Sequence, residues 1–424
     1  MGLHRRILQF RVWRMPLVVV GSLMSVWAEP GLATATGQGL TTLKVAVHVH
    51  STVSTGTFSP AKILELAART GVDAVLFTDS VRRHWEYGFW PMRYAIDEPS
   101  VLQFGAERYL DLLRQVQRQT PAVLAIPGLE AAPFYYWRRP PLFDTQGGQI
   151  AAWDQHVLIF GLRDATAIER LPLAEYDPYH GNQGAAPYQR LIDVVARSGG
   201  MTFWAHPMTG HTGRHGRIAE ATDPYPHLLE LSTGYDGFAL TYVGYLSLVD
   251  PGALWDQLLT AYCEGSRVRP TWIVGELDWR GPARPLDAVL TQVLVRERSP
   301  AAVIEALGSG RSWVIFRTGA HGLALQAFTI ADVLSSHEAQ VGGRLTAKGA
   351  VRIHVACDRP PSQYPATIKL IRDGAVSQTA SVQESHVELD WTDERPPSRG
   401  FYRVIVEDPS GLIYSNPIFV DPAS

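Results

Sequence analysis

Between Lys44 and about Trp279, apolar runs of strand length alternate with stretches whose apolar residues recur at helical spacing. The run LKVAVHVH ends at His50, and SPAKILELAARTG follows it closely. In that segment Ser59 suits a cap and Pro60 the first helical position; Ile63, Leu64 and Ala67 share a face, and Gly71 stops the helix. DAVLFTD then reads as a buried strand, and Val101–Gln119 as one long helix. AVLAIPGLE and QHVLIFGL are the next strands, and the helix PYQRLIDVVARSGG feeds the strand MTFWAHP. Strands around LLELS and GFALTY, the helix LWDQLLTAYCEG and the strand TWIVGELD complete the series. Repeated strand–helix units predict an α/β fold with a parallel sheet, and their number favours a closed barrel over an open one.

After Asp278 the pattern changes. AVLTQVLVRE, a helix near Pro300–Leu307 and GRSWVIF form a connector over 283–322. From 323 to 424 the runs are short, alternate with period two and are separated by turn residues: AVRIHVAC, ATIKLIRDG, SHVELDW, GFYRVIVEDPSG and SNPIFV. This predicts a small antiparallel β-sandwich of immunoglobulin-like type. His354 and His386 read there as ordinary strand residues.

Composition narrows the class. In 424 residues, 46% are hydrophobic and 19% charged, which is a foldable globular balance. A formal net charge of −3 provides no basic excess to neutralise phosphates, which argues against nucleic acid and leaves a small-molecule substrate as the expected partner. Twelve Trp and sixteen Tyr crowd into YYWRR, RRHWEYGFW and TYVGY, which suits either pocket-lining loops or buried packing. Cys263 and Cys357 are the only cysteines, so a cysteine-based metal or redox site is excluded.

The first 35 residues read as a signal peptide and leader. Arg5, Arg6, Arg11 and Arg14 precede PLVVVGSLMSVWA, an apolar stretch too short to span a bilayer. Cleavage fits after Ala28 or at Ala33-Thr34-Ala35. The expected mature protein is exported, periplasmic or extracellular, with no membrane attachment after cleavage.

Six residues carry the candidate chemistry: His48, His50, Glu130, His156, His206 and Asp278. Most stand where an apolar run gives way to turn residues, the trace left by strands that deliver ligands to one end of a barrel. A lone HVH is a weak motif, and a single His at a strand end is often a hydrogen-bonded structural residue. The weight lies in the recurrence. His48 and His50, two apart in a strand, point to one face and can converge on one ion. Glu130 can bridge two ions, His156 and His206 can serve the second, and Asp278 can close the first. Two metals about 3.5–4 Å apart would share a hydroxide and aim it at phosphorus or carbon.

HVHS, GVDAVLFTDS, IPGLE, QHVLIF, FWAHP and VGELDW fall in the order and approximate spacing of the polymerase-and-histidinol-phosphatase (PHP) metal-dependent hydrolases, which residues 44–280 resemble. The later half resembles the exported carbaryl/carbofuran-hydrolase-like (CehA/McbA) branch. The resemblance implies a distorted (β/α)7, TIM-like barrel over 43–282. It also implies two divalent ions, Zn, Mn or Fe: one held by His48, His50, Glu130 and Asp278, the other by Glu130, His156 and His206. Members with three metals have an Asp or His where this chain has Thr55-Gly56, TDH where it has Thr78-Asp79-Ser80, and D-x-H where it has Asp278-Trp279-Arg280. These departures fall together on the third metal, so the resemblance implies a two-metal centre.

Arg280 then stands where a ligand His would sit, either holding an anionic substrate group or pairing with a local carboxylate. Asp278 and Arg280 are the candidate catalytic side chains, with Asp278 or a loop His managing the proton. Arg82 and His84, with Arg83 between them, are candidates for the mouth of the site. His211 and His215 are candidate substitute ligands or proton shuttles on a loop, or plain surface residues. Asp79 is a candidate for orienting a ligand. The expected function is phosphoester hydrolysis, with carbamate, ester or amide cleavage as the alternative in the same family. A non-catalytic metal-binding or ligand-binding protein is the alternative from another class.

Overall fold

The computed structural model describes residues 39–423, apart from 90, 140–146, 174–180, 243–245, 319–321 and 336. The signal-peptide segment therefore lies outside the described residues. Among those described, no helix is long and apolar enough to cross a membrane.

The chain is mixed α/β and rich in sheet. Seven strands carry the first half: β1 (Thr41–Val49), β2 (Ala74–Phe77), β3 (Leu124–Ala131), β4 (Val157–Phe160), β5 (Met201–Trp204), β6 (Gly237–Leu240) and β7 (Trp272–Gly275). They lie side by side in chain order. After β7 the chain hydrogen-bonds back to β1: Leu277 N donates to Val47 O at 3.0 Å, Trp279 N to His48 O at 2.9 Å, and His50 N to Trp279 O at 2.8 Å. The strands thus form a ring.

The first helix, Pro60–Thr70, shows how local chemistry sets an element. Ser59 Oγ accepts from Lys62 N, Ile63, Leu64 and Ala67 are buried, and Gly71 closes the helix at φ 69°. The long helix expected over Val101–Gln119 is instead two, Val101–Phe104 and Ala106–Gln119, because Gly105 between them takes φ 101°. The LLELS run is also corrected. It belongs to a short helix, His227–Leu231, since an apolar run of that length suits either structure.

The parallel sheet expected from repeated units is interrupted once. β4 runs antiparallel to both β3 and β5, while the pairs β1–β2, β2–β3, β5–β6 and β6–β7 are parallel. Among the described residues, no helix separates β3 from β4. That stretch carries the strands Tyr136–Arg139 and Gln149–Ala151, which join His211–His215 and Ile218–Thr222 in a separate four-stranded sheet.

Beyond the ring, β8 (Val289–Val295) pairs antiparallel with the first half of β1, and β9 (Ser312–Arg317) pairs with β8. β9 in turn pairs antiparallel with Gly411–Ser415, so one sheet runs from the ring into the C-terminal strands. A four-stranded sheet containing Ala324–Asp332 and Val351–Asp358 shares an apolar core with those strands, including Phe328, Ile353, Val355, Ile368 and Val404. Cys263 and Cys357 are free and buried.

Candidate metal centre

The six candidate ligands meet at one end of the ring. His48 is at the end of β1, Glu130 is near the end of β3, and His206 and Asp278 follow β5 and β7. His156 precedes β4 instead of following it. Because β4 is reversed, its start lies at the same end as its neighbours' finishes.

Backbone strain marks the site. His48, His206 and Asp278 take φ values of 66°, 27° and 42°, a left-handed region that costs a non-glycine residue about 1–3 kcal/mol. At His48 the pairing of β1 with β2 slips, with Val47 and Val49 on successive β2 partners. His48 and His50 therefore do not converge through simple strand alternation; the bulge turns the two rings toward each other.

The rings and carboxylates form one buried cluster. His48 Nε2 lies 3.2 Å from His50 Nε2 and 3.0 Å from Glu130 Oε1. His50 Nε2 is 3.4 Å from Asp278 Oδ1, and His156 Nδ1 is 2.7 Å from Glu130 Oε1. The rings of His206 and His156 lie 5.4 Å apart. One ligand atom from each of His48, His50, Glu130 and Asp278 falls within 4.8 Å of the others, and Glu130, His156 and His206 form a second such set.

These atoms fit metal ions. His156 Nδ1 is buried 2.7 Å from Glu130 Oε1 without forming a well-directed hydrogen bond, a pair of donor atoms that a shared cation would satisfy. Burial lowers the pKa of His50 and of His206, which favours the neutral imidazole that ligates a metal. Burial also opposes ionisation of Asp278, but the Arg280 guanidinium holds it well below the carboxylate range. For Glu130 the cost of burial is outweighed by His156 and His50, and its pKa is likewise well below the usual value. His48 differs: against the cost of burial, hydrogen bonds to Glu130 and Glu276 raise it to about 10. A buried cluster of His, Glu and Asp with this donor chemistry fits a metal site.

Glu276, which the motif reading left unassigned, is fully buried, and its Oε2 lies 2.9 Å from His48 Nδ1. It fixes the ring so that Nε2 faces the cluster. Its place two residues before Asp278 was the available signal. Asp79 works through serines: it accepts from Ser51 N and Ser51 Oγ at 2.8 Å and from Ser54 Oγ at 2.6 Å, and Ser54 Oγ lies 3.2 Å from His50 Nδ1.

The three departures from the three-metal pattern have partners of their own. Ser80 Oγ donates to Glu130 Oε2 at 3.0 Å. Arg280 directs Nε and Nη2 at Asp278 Oδ1, each at 3.0 Å, and Nη1 at Thr55 Oγ1. Of the two roles open to Arg280, pairing with a local carboxylate is the one this arrangement displays.

A cleft of about 620 Å³ opens onto the cluster, with His156, His206, Asp278 and Arg280 in its wall. Arg83, His211, Tyr242, Trp279 and Arg284 line it as well. Arg82 and His84 are not in that wall; His84 is held by Asp97 at 2.6 Å and Glu86 at 2.8 Å. His215 lies 3.0 Å from Glu220 and 5.8 Å from the Trp85 ring. Of the crowded aromatics, Trp85, Tyr135 and Trp137 serve packing, forming a buried cluster with Trp153.

No protein-family model matches this chain, and no curated protein sequence matches it. Among solved structures, it is similar to a two-domain protein containing a predicted PHP-like metal-dependent phosphoesterase from Bacteroides vulgatus. That match has 16% identity over 90% of this chain and 96% of the other, with a TM-score of 0.41. A candidate metal-dependent phosphoesterase from Bifidobacterium adolescentis matches at 14% identity over 57% of this chain and 89% of the other, with a TM-score of 0.31. Likenesses at this low identity and TM-score leave the functional reading to the site's own residues.

Proposed function

We propose that this chain is an exported metal-dependent phosphoesterase of the CehA/McbA-like PHP type, with the ring acting as a distorted (β/α)7 barrel and an immunoglobulin-like sandwich behind it. The observation that carries the reading is the position of Glu130, buried between His48 and His50 on one side and His156 and His206 on the other. His48, His50, Glu130 and Asp278 would hold one divalent ion, and Glu130, His156 and His206 a second. Such a pair supplies Lewis-acid polarisation and a water ionised near neutral pH.

The chain's own residues do the rest. Glu276 and the Ser54–Asp79 pair orient His48 and His50. Arg280 and Thr55 hold Asp278, whose Oδ1 faces Arg280 and His50; Oδ2 is assigned the proton of the attacking water. Arg83 and Arg280 in the cleft wall are paired with Glu98 and Asp278, and Arg284 adds a further guanidinium there, which supports an anionic phosphoester over a neutral carbamate.

The test is turnover of p-nitrophenyl phosphate, bis(p-nitrophenyl) phosphate and an aryl carbamate by the purified chain with Mn or Zn added. Metal-dependent cleavage of a phosphoester, lost in Glu130→Ala, is expected. Cleavage of the carbamate alone would move the substrate class, and turnover of none with metal bound would favour a binding protein.

A further inference from the structure

Outside the cluster, a second group of metal-ligating side chains sits at the rim of the cleft. Asp154, His211 and Glu220 each offer a ligand atom, and these atoms lie within 4.8 Å of one another. Two of the residues come from one hairpin. In the antiparallel pair His211–His215 and Ile218–Thr222, Gly213 stands opposite Glu220, and His211 is two residues before Gly213 on the same face. A Cβ on Gly213 would meet Glu220 Oε2 at 2.6 Å and His211 Nε2 at 3.2 Å, so the missing side chain is what lets both atoms converge. Asp154 arrives from the turn before β4, anchored by its N–H to Thr222 Oγ1 at 3.2 Å.

Glu220 is the decisive residue. It is 5% exposed, aims into the group, and its Oε1 has no hydrogen-bond partner. His215 Nε2 is 3.0 Å from that oxygen but off the hydrogen-bonding direction. Asp154 Oδ2 is also buried without a hydrogen-bond partner and faces His211 Nε2 at 3.9 Å. The nearby guanidinium of Arg83 is engaged by Glu98 and stacks over Trp153. Two buried carboxylate oxygens left open beside imidazoles are costly unless a cation takes them.

We infer that Asp154, His211 and Glu220, with His215 in reach, form a further divalent-cation site, suited by its mixed imidazole and carboxylate donors to Zn or Co. It is separate from the deep cluster but adjoins it, since Asp154 Oδ1 lies 4.0 Å from His156 Nε2. An ion there places positive charge at the cleft rim, where Asp154 and His211 line the wall. The inference does not depend on the hydrolase reading.

Metal-free full-length chain titrated with Co(II) tests it, reading visible absorption and metal retained after gel filtration. One equivalent should vanish in His211→Ala and weaken by about 10-fold or more in Glu220→Gln, while the remaining equivalents stay. His211 is 52% exposed, so the metal-free variant should melt like the parent. In His50→Ala the deep ions should be lost and the His211-dependent equivalent kept, which separates failure of one site from failure of the other. Unchanged stoichiometry and affinity in both His211→Ala and Glu220→Gln would overturn the assignment.

Discussion

His48 combines strain, charge and ligation in one residue. Its backbone is left-handed at φ 66°, and its ring is clamped between Glu130 and Glu276. Without metal those carboxylates hold a proton on the ring, with a pKa raised from 6.5 to about 10. A raised folded-state value stabilises fully below pH 6.5 and is lost as pH climbs through about 10. Metal-free protein should therefore melt at progressively lower temperature from pH 6.5 to 10, and saturating metal should flatten that slope. By the same linkage, metal binding at pH 8 should release about one proton per chain from this ring, measurable by calorimetry in buffers of different ionisation enthalpy. Glu276→Gln removes the charged partner of His48 Nδ1 and should weaken metal binding by about 10–100-fold in a chelator competition, with little change in fold. Glu276 escaped the motif reading because it lies in the same run as Asp278, and the turn to φ 42° at Asp278 undoes the alternation that would have related the two.

Elements explain which parts of the site were legible in the sequence. Strand ends were visible because apolar runs stop at turn residues, and those stops carry the ligands. Strand direction was not visible, because an apolar run reads the same both ways. One clue did exist: His156 comes before its run, whereas His48, His50, His206 and Asp278 come at or after the end of theirs, and only a reversed strand brings it to the same end. The cross-strand hairpins were missed because their polar residues, such as HTGRH, carry no apolar period. The loop after β1 is fixed by backbone crowding. A Cβ on Gly56 would meet His50 O at 2.2 Å and Ser51 Cα at 2.8 Å, both backbone atoms. Gly56→Ala should lower stability by about 1–3 kcal/mol and weaken metal binding by displacing His50, as denaturant melts and metal titration would read.

At the scale of the whole molecule, the ring and the C-terminal strands are tied by buried polar groups that the sequence pattern did not reveal. Arg403 is fully buried, pairs both ways with Asp256 at 2.7 Å, and donates to Val249 O at 3.0 Å. Asn416 completes the backbone of β7, accepting from Ile273 N at 2.9 Å and donating to Ile273 O at 3.1 Å. Both join positions about 145 residues apart, a pairing that no local period encodes. Arg403→Ala leaves the Asp256 charge buried and alone and should cost about 3–5 kcal/mol in denaturant unfolding. The ring supplies the geometry on which the functional account stands. Its most direct test is phosphoester hydrolysis by chelator-stripped His211→Ala protein, followed together with bound metal as Mn or Zn is restored. The account predicts activity that rises to a plateau with about two ions per chain, with ions and activity both lost in the added Glu130→Ala variant. Turnover that survives chelation, or that persists when Glu130 is removed, would contradict it.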